Sequence, residues 1–186
     1  MLGSVPSMSE SLAASPRAGR TPIIILLLVA AVAAAGAAAT LIVLDQDRAA
    51  GLAAAAGLAA LVAAGRGVRR IASPRLLFAD SAVERIANAG LLAAVARDRL
   101  PAEPRVAAAA LVALVTSYLA SYLRAKSTGL GFDLEESTID RAVLLGTLAA
   151  GLLTGYVEMG LWAAVAWSSI VTTKRAMEVG SQGEPG

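Results

Sequence analysis

Residues 23–44 carry no charged side chain and are built almost wholly from Ile, Leu, Val, Ala and Gly. A helix needs ~20 such residues to cross the hydrocarbon core of a bilayer. No polar stripe recurs within the run, so it offers no face to water. A soluble Ala-rich bundle is the alternative for a chain of this composition, and this run argues against it. The rest of the sequence agrees: 57% of the 186 residues are hydrophobic, and the mean hydropathy is +0.68. The length fits one domain. Arg17 and Arg20 precede the run as the basic region of a signal peptide would, and Ala37-Ala38-Ala39 resembles a cleavage site. The apolar core of a signal is only ~7–15 residues long, so residues 23–44 read as an uncleaved first span.

The chain has no cysteine and no histidine. That excludes disulfides, thiol nucleophiles, Ser-His machinery and zinc sites of the usual ligand types. Acid-base and metal chemistry must rest on carboxylates. No Gly-rich phosphate loop and no aromatic-basic pattern is present, so no nucleic acid partner is expected.

The pattern predicts an all-α membrane protein of six transmembrane helices, at 23–44, 49–64, 80–96, 106–123, 142–156 and 161–171. Pro74 breaks the chain before the third helix, and Glu158 and Gly160 read as a tight turn before the sixth. Residues 1–21 read as a disordered tail rich in Ser, Pro and Gly, residues 22–176 as the membrane domain, and residues 177–186 as a second disordered tail. An even number of spans puts both termini on one side. That side collects Arg17, Arg20, Arg66, Arg69, Arg70, Arg75, Arg124, Lys126, Arg141, Lys174 and Arg175, against Arg48, Arg97, Arg99 and Arg105 on the other. Basic residues at span ends mark the cytoplasmic side, so both termini are expected in the cytoplasm of a cell that carries the protein in its plasma membrane. The arginine cluster serves either as this topology signal or as a phosphate site, since guanidinium offers a planar fork of donors.

Asp80 and Glu84 lie four residues apart and share a helix face, with Arg85 beside them. Two carboxylates on one face can hold a divalent cation through oxygen ligands. The plainer alternative is helix-start chemistry, with Asp80 capping and Glu84 paired with an arginine.

Ala79-Asp80-Ser81-Ala82-Val83-Glu84-Arg85 is similar to the Leu-Asp-Ser-x-x-Asp-Arg half of the CDP-alcohol phosphatidyltransferase signature, with Glu84 in place of the last Asp. Ala64-Gly65-Arg66-Gly67-Val68-Arg69 resembles its Asp-Gly-x-x-Ala-Arg half, with Gly65 and Arg69 kept. Leu61 and Ala64 stand where the first two aspartates would be, and the spacer to Asp80 is about two residues short. Ser117 to Leu145 resembles the actinobacterial phosphatidylinositol-phosphate and phosphatidylglycerol-phosphate synthase-like branch, whose Ser-Tyr-x-x-Ser-Tyr-x-Arg-Ala pattern precedes an acidic stretch and Thr-Arg. The resemblance covers roughly residues 22–178.

The resemblance implies six transmembrane helices and transfer of a phosphatidyl group from CDP-diacylglycerol to a polyol or polyol phosphate, releasing CMP, in phospholipid synthesis. Four aspartates of the family bind two divalent metals that hold the pyrophosphate, and the last is the general base. Carried over, Glu84 is the base, Asp80 and Glu84 hold Mg2+ or Mn2+ at one site at most, and Gly65 and Arg69 meet the nucleotide. Arg124, Lys126 and Arg141 bind an acceptor or lipid phosphate. Two neighbouring dications need several anionic ligands to offset their repulsion, so losing two of four carboxylates implies reduced or lost activity. The alternative is a non-catalytic homologue that acts as a membrane binding, dimerisation or regulatory partner. A homodimer is expected, with Gly146, Ala149, Ala150 and Gly151 letting helices approach closely.

Overall fold

The computed structural model describes residues 20–71, 73–132 and 138–182, with the side chains of 138–141 and 182 left out of the description. Among the described residues six helices follow one another: α1 (Thr21–Val43), α2 (Asp47–Ile71), α3 (Pro74–Arg99), α4 (Pro104–Gly129), α5 (Thr138–Thr154) and α6 (Val157–Gln182). Helices α1, α2 and α4 are long and apolar enough to cross a membrane, and α5 contains a shorter apolar stretch. The all-helical, six-helix expectation holds.

The packing order differs from the chain order. Helix α2 packs on α5, α5 on α6, α6 on α4 and α4 on α3, and a lighter α3–α2 contact closes the ring. Helix α1 lies against α2 and α3. The core is made of small and branched aliphatics, among them Ala38, Leu61, Val68, Leu92, Ala110, Leu148 and Leu161. Large apolar side chains also point outward, including Leu26, Val115, Met159 and Ile170. An outward face as apolar as the core suits hydrocarbon rather than water.

Helix ends explain most shifts from the expected boundaries. Helix α1 closes with Asp45 in the left-handed region (φ 58°), where Gln46 N–H donates to Leu41 O and Asp45 N–H to Ile42 O. Helix α4 closes the same way around Gly131 (φ 90°), with Phe132 N–H on Ser127 O and Gly131 N–H on Thr128 O. These paired bonds satisfy carbonyls that a helix end leaves open. Helix α4 therefore carries Arg124 and Lys126 on its last turns rather than in a loop. Pro74 and Pro104 open α3 and α4, where a missing N–H does no harm. Asp80 thus lies in the second turn of α3 and does not cap it.

The turn between α5 and α6 falls at Gly155 (φ 80°) and Tyr156, not at Glu158 and Gly160, which are inside α6. Gly160 is needed for contact instead: a Cβ there would collide with Thr147 O and lie 3.3 Å from Gly151 Cα. Helix α6 runs on to Gln182, past the expected limit of the membrane domain at 176; residues 1–19 and 183–186 of the expected tails lie outside the described residues. Three of the four small residues singled out on α5 pack within the chain. Gly146 faces Leu58, Ala149 and Leu153 face Gly51, and Gly151 faces the start of α6. Ala150, the fourth residue of that set, is exposed.

At one end of the bundle the α1–α2, α3–α4 and α5–α6 turns come together. Arg99 pairs with Asp47, with Asp98 at 3.2 Å and with Glu103 at 3.2 Å, and Asp47, Arg99 and Glu103 border a depression shared with Gly155 to Met159. The opposite end receives the C-termini of α2, α4 and α6 and the N-termini of α3 and α5. This is the end that the arginine-rich loops mark.

Candidate functional site

Toward the arginine-rich end, α3, α4 and α6 each turn a polar stripe inward. Helix α3 supplies Ser81, Glu84, Arg85 and Asn88; α4 supplies Ser117, Tyr118, Ser121 and Arg124; α6 supplies Trp167, Ser168, Val171 and Arg175; Leu144 of α5 closes the wall. The spacings of three, four and seven residues are those that stack side chains on one helix face. They enclose a cavity of about 70 Å³, room for a few waters or one small polar group.

Among the described residues, basic groups outnumber acidic ones on the cavity wall. Three guanidinium groups (Arg85, Arg124, Arg175) and one carboxylate (Glu84) line it. Arg175 is only 8% exposed, and its Nη1 donates to Ala120 O at 2.9 Å, which ties α6 to α4. Tyr118 Oη donates to Arg85 O at 3.3 Å and joins α4 to α3. Asn88 Oδ1 and Trp167 Nε1 are buried at the wall without a hydrogen-bond partner. Leaving such a group unsatisfied costs about 1–3 kcal/mol, so one acceptor and one donor are set for a polar guest. The chemistry that fits is an anion with hydroxyl or phosphate oxygens.

The residues singled out from sequence divide in two. Glu84 and Arg124 line the cavity. Asp80 is buried one turn before Glu84, 5% exposed, and is not among the lining residues. Lys126 is exposed on α4 and does not border the cavity. Gly65 is buried in α2 and Arg69 is exposed near its end, both outside the cavity wall. Arg141 lies on α5, but its side chain is outside the described residues. Sequence reasoning missed Asn88, Trp167 and Ser168, and took Arg175 as a topology charge. The i, i+3, i+7 lines Ser81-Glu84-Asn88 on α3 and Ser168-Val171-Arg175 on α6 are the signals that would have found them.

Where the family resemblance puts two metal-binding aspartates, this chain is apolar. Leu61 is 1% exposed and Ala64 fully buried, and Leu61 borders a void of about 10 Å³ with Ala31, Ala54, Gly57, Ala87 and Leu91. Among the described residues no three acidic side chains are grouped so as to hold a metal ion. The donors present do not fit a two-metal centre.

No protein-family model matches the chain, and no curated protein matches it. Two solved structures do, both of phosphatidylinositol phosphate synthase from Mycobacterium tuberculosis. The complex with manganese and citrate aligns at 21% identity with a TM-score of 0.64, covering 88% of this chain and 82% of that one. The form with CDP-DAG bound aligns at 21% identity and a TM-score of 0.64, covering 90% of this chain and 88% of that one. This chain therefore has the fold of a CDP-alcohol phosphatidyltransferase, as its motifs imply.

Proposed function

We propose that this chain is a multi-pass membrane protein of the CDP-alcohol phosphatidyltransferase type that keeps the head-group end of such a site and has lost the metal end. It is built around transfer of a phosphatidyl group from CDP-diacylglycerol to a polyol phosphate, and its own rate of transfer is reduced or absent. The observation that carries this reading is the cavity in which Glu84 sits among Arg85, Arg124 and Arg175, within a fold shared with a phosphatidylinositol phosphate synthase.

The arginines hold the phosphate of the acceptor, and Arg141 of α5 adds to them. Asn88 and Trp167 orient its hydroxyls, and the Glu84 carboxylate takes the proton of the attacking hydroxyl. Gly65 and Arg69 meet the nucleotide at the end of α2, and Asp80 with Glu84 leaves room for one cation at most. No step is assigned to a metal pair. Even with acceptor and base in place, moving the base by one methylene, as Glu84 does relative to Asp, is a displacement near the ~1 Å that costs on the order of a hundredfold in rate. The arginine-rich end faces the cytoplasm of the plasma membrane.

A second reading, a non-catalytic binding or regulatory partner, is favoured by the burial of Leu61 and Ala64 in the apolar core. CMP release separates the two. Detergent-purified protein receives CDP-diacylglycerol, Mg2+ or Mn2+, and inositol phosphate or glycerol phosphate, beside an active phosphatidylinositol phosphate synthase. Slow release that disappears in Glu84→Ala supports a weakened transferase. No release, together with acceptor binding that depends on Arg124, supports the partner role. Failure to bind either acceptor refutes both.

A further inference from the structure

The polar cavity changes character along its depth. Helix α3 starts at the arginine-rich end and α4 and α6 finish there, so the lining residues fall into levels. Arg124 and Arg175 are outermost, Glu84 and Arg85 lie between, and Asn88, Ser117, Trp167 and Ser168 are innermost. The stretch of α6 from Arg175 back to Ser168 sets the two ends about 10 Å apart. Among the described residues, the inner end is lined by polar side chains without charge. Asn88 is 7% exposed. Its Oδ1 has no hydrogen-bond partner among the described residues, nor has Trp167 Nε1. Ser117 Oγ already donates to Leu114 O at 2.8 Å, so it offers a guest only lone pairs.

The inner end thus presents one open acceptor on α3 and one open donor on α6. A hydroxyl serves both, since it donates one proton and accepts through its lone pairs. A phosphoryl oxygen only accepts and an ammonium only donates. We propose that the inner end is a hydroxyl-reading pocket in which Asn88 and Trp167 select one hydroxyl of the ligand, an inference that rests on the head-group reading of the cavity given above. A hydroxyl has a single proton. The one that donates to Asn88 Oδ1 therefore cannot also give its proton to Glu84, one helical turn further out. The ligand class narrows to phosphorylated diols and larger polyols: one hydroxyl faces Glu84 and a second is held by Asn88 and Trp167. Asn88 and Trp167 are specificity residues on this reading, and they act without a change in charge.

The test is isothermal titration of the detergent-purified full chain with glycerol 3-phosphate and with propyl phosphate, which has the same carbon chain and phosphate but no hydroxyl. Wild type should bind glycerol 3-phosphate more tightly by about tenfold or more, because propyl phosphate leaves both groups unpaired. Asn88→Leu removes the acceptor and Trp167→Phe the donor. Each should lower glycerol 3-phosphate affinity severalfold and leave propyl phosphate affinity unchanged, and the second measurement also reports that the variant is folded. Glu84→Gln should leave the ratio of the two affinities as in wild type, since it faces the other hydroxyl. If wild type binds the two phosphates equally, the hydroxyl reading is overturned and the head-group reading stands. If wild type binds neither, the head-group reading falls and the proposal with it. If Asn88→Leu and Trp167→Phe weaken both ligands alike, these side chains only shape the wall and the proposal is overturned. If Glu84→Gln erases the preference, the hydroxyl is read by Glu84 and the proposal is again overturned.

Discussion

Gly51→Ala should loosen the α2–α5 contact by an amount that the geometry allows to be worked out. A Cβ at position 51 would lie 2.7 Å from Leu153 Cγ, 2.9 Å from Leu153 N and 3.0 Å from Ala149 O. Carbon pairs are most favourable near ~3.5–4.0 Å, so the first contact is about 1 Å too short. Leu153 is half-buried and can turn its side chain away. The other two contacts are backbone and can be relieved only by moving one helix from the other. Forcing one extra carbon into a packed core typically costs about 1–3 kcal/mol. Helix propensity works the other way, since Ala is favoured over Gly in a helix by about 1 kcal/mol. Gly90→Ala isolates that second effect: it adds the same carbon on α3 where nothing lies within 4 Å. The difference in stability between the two variants should therefore be about 1–3 kcal/mol, with Gly51→Ala the weaker. Reversible unfolding of both proteins in mixed detergent and SDS micelles measures it. Equal stability, or a more stable Gly51→Ala, would refute the close approach of α2 and α5.

Arg99→Ala removes the cation shared by Asp47, Asp98 and Glu103 and leaves Asp47 partly buried; it should lower stability by about 1–3 kcal/mol in the same unfolding assay without changing glycerol phosphate binding. Arg175→Ala should weaken glycerol phosphate binding by about tenfold or more by titration calorimetry, because a buried guanidinium is lost from the cavity wall, and Arg175→Lys should restore only part of it, since an ammonium lacks the fork that reaches Ala120 O. Chelation with EDTA should leave the unfolding temperature unchanged, because Leu61 and Ala64 supply no ligands and a resident metal pair would have stabilised the folded state by mass action. A fall of several degrees would show that Asp80 and Glu84 hold a resident cation or that further metal ligands had been overlooked.

The polar cavity was half legible in the sequence. Glu84 and Arg124 stood out because each belongs to a motif with recognisable spacing, and Ser117, Tyr118 and Ser121 belong to the same stretch as Arg124. Lys126 was grouped with them by proximity in sequence, but two residues along a helix turn a side chain by about 200°, and it came out exposed. Arg175, Trp167 and Asn88 lay in segments without a motif. A lone arginine at the end of a span has the same appearance whether it faces water or a cavity.

By itself the sequence determined that the chain is helical and membrane-bound, the number and order of its helices, and the end of the bundle that carries most of the arginines. Charge-free length and loop composition are local properties, and they suffice for that. Only the tertiary structure decided which face of each helix is inside. In a soluble helix the apolar stripe marks the core, but here the lipid-facing side is as apolar as the core, so periodicity along α1, α4 and α6 carries little information. Packing made the choice instead, through Gly51, Gly151 and Gly160 at the close approaches and through the few polar side chains that had to avoid lipid. That choice gathered Glu84, Arg85, Arg124 and Arg175 around one cavity and enclosed Leu61 and Ala64 in the core.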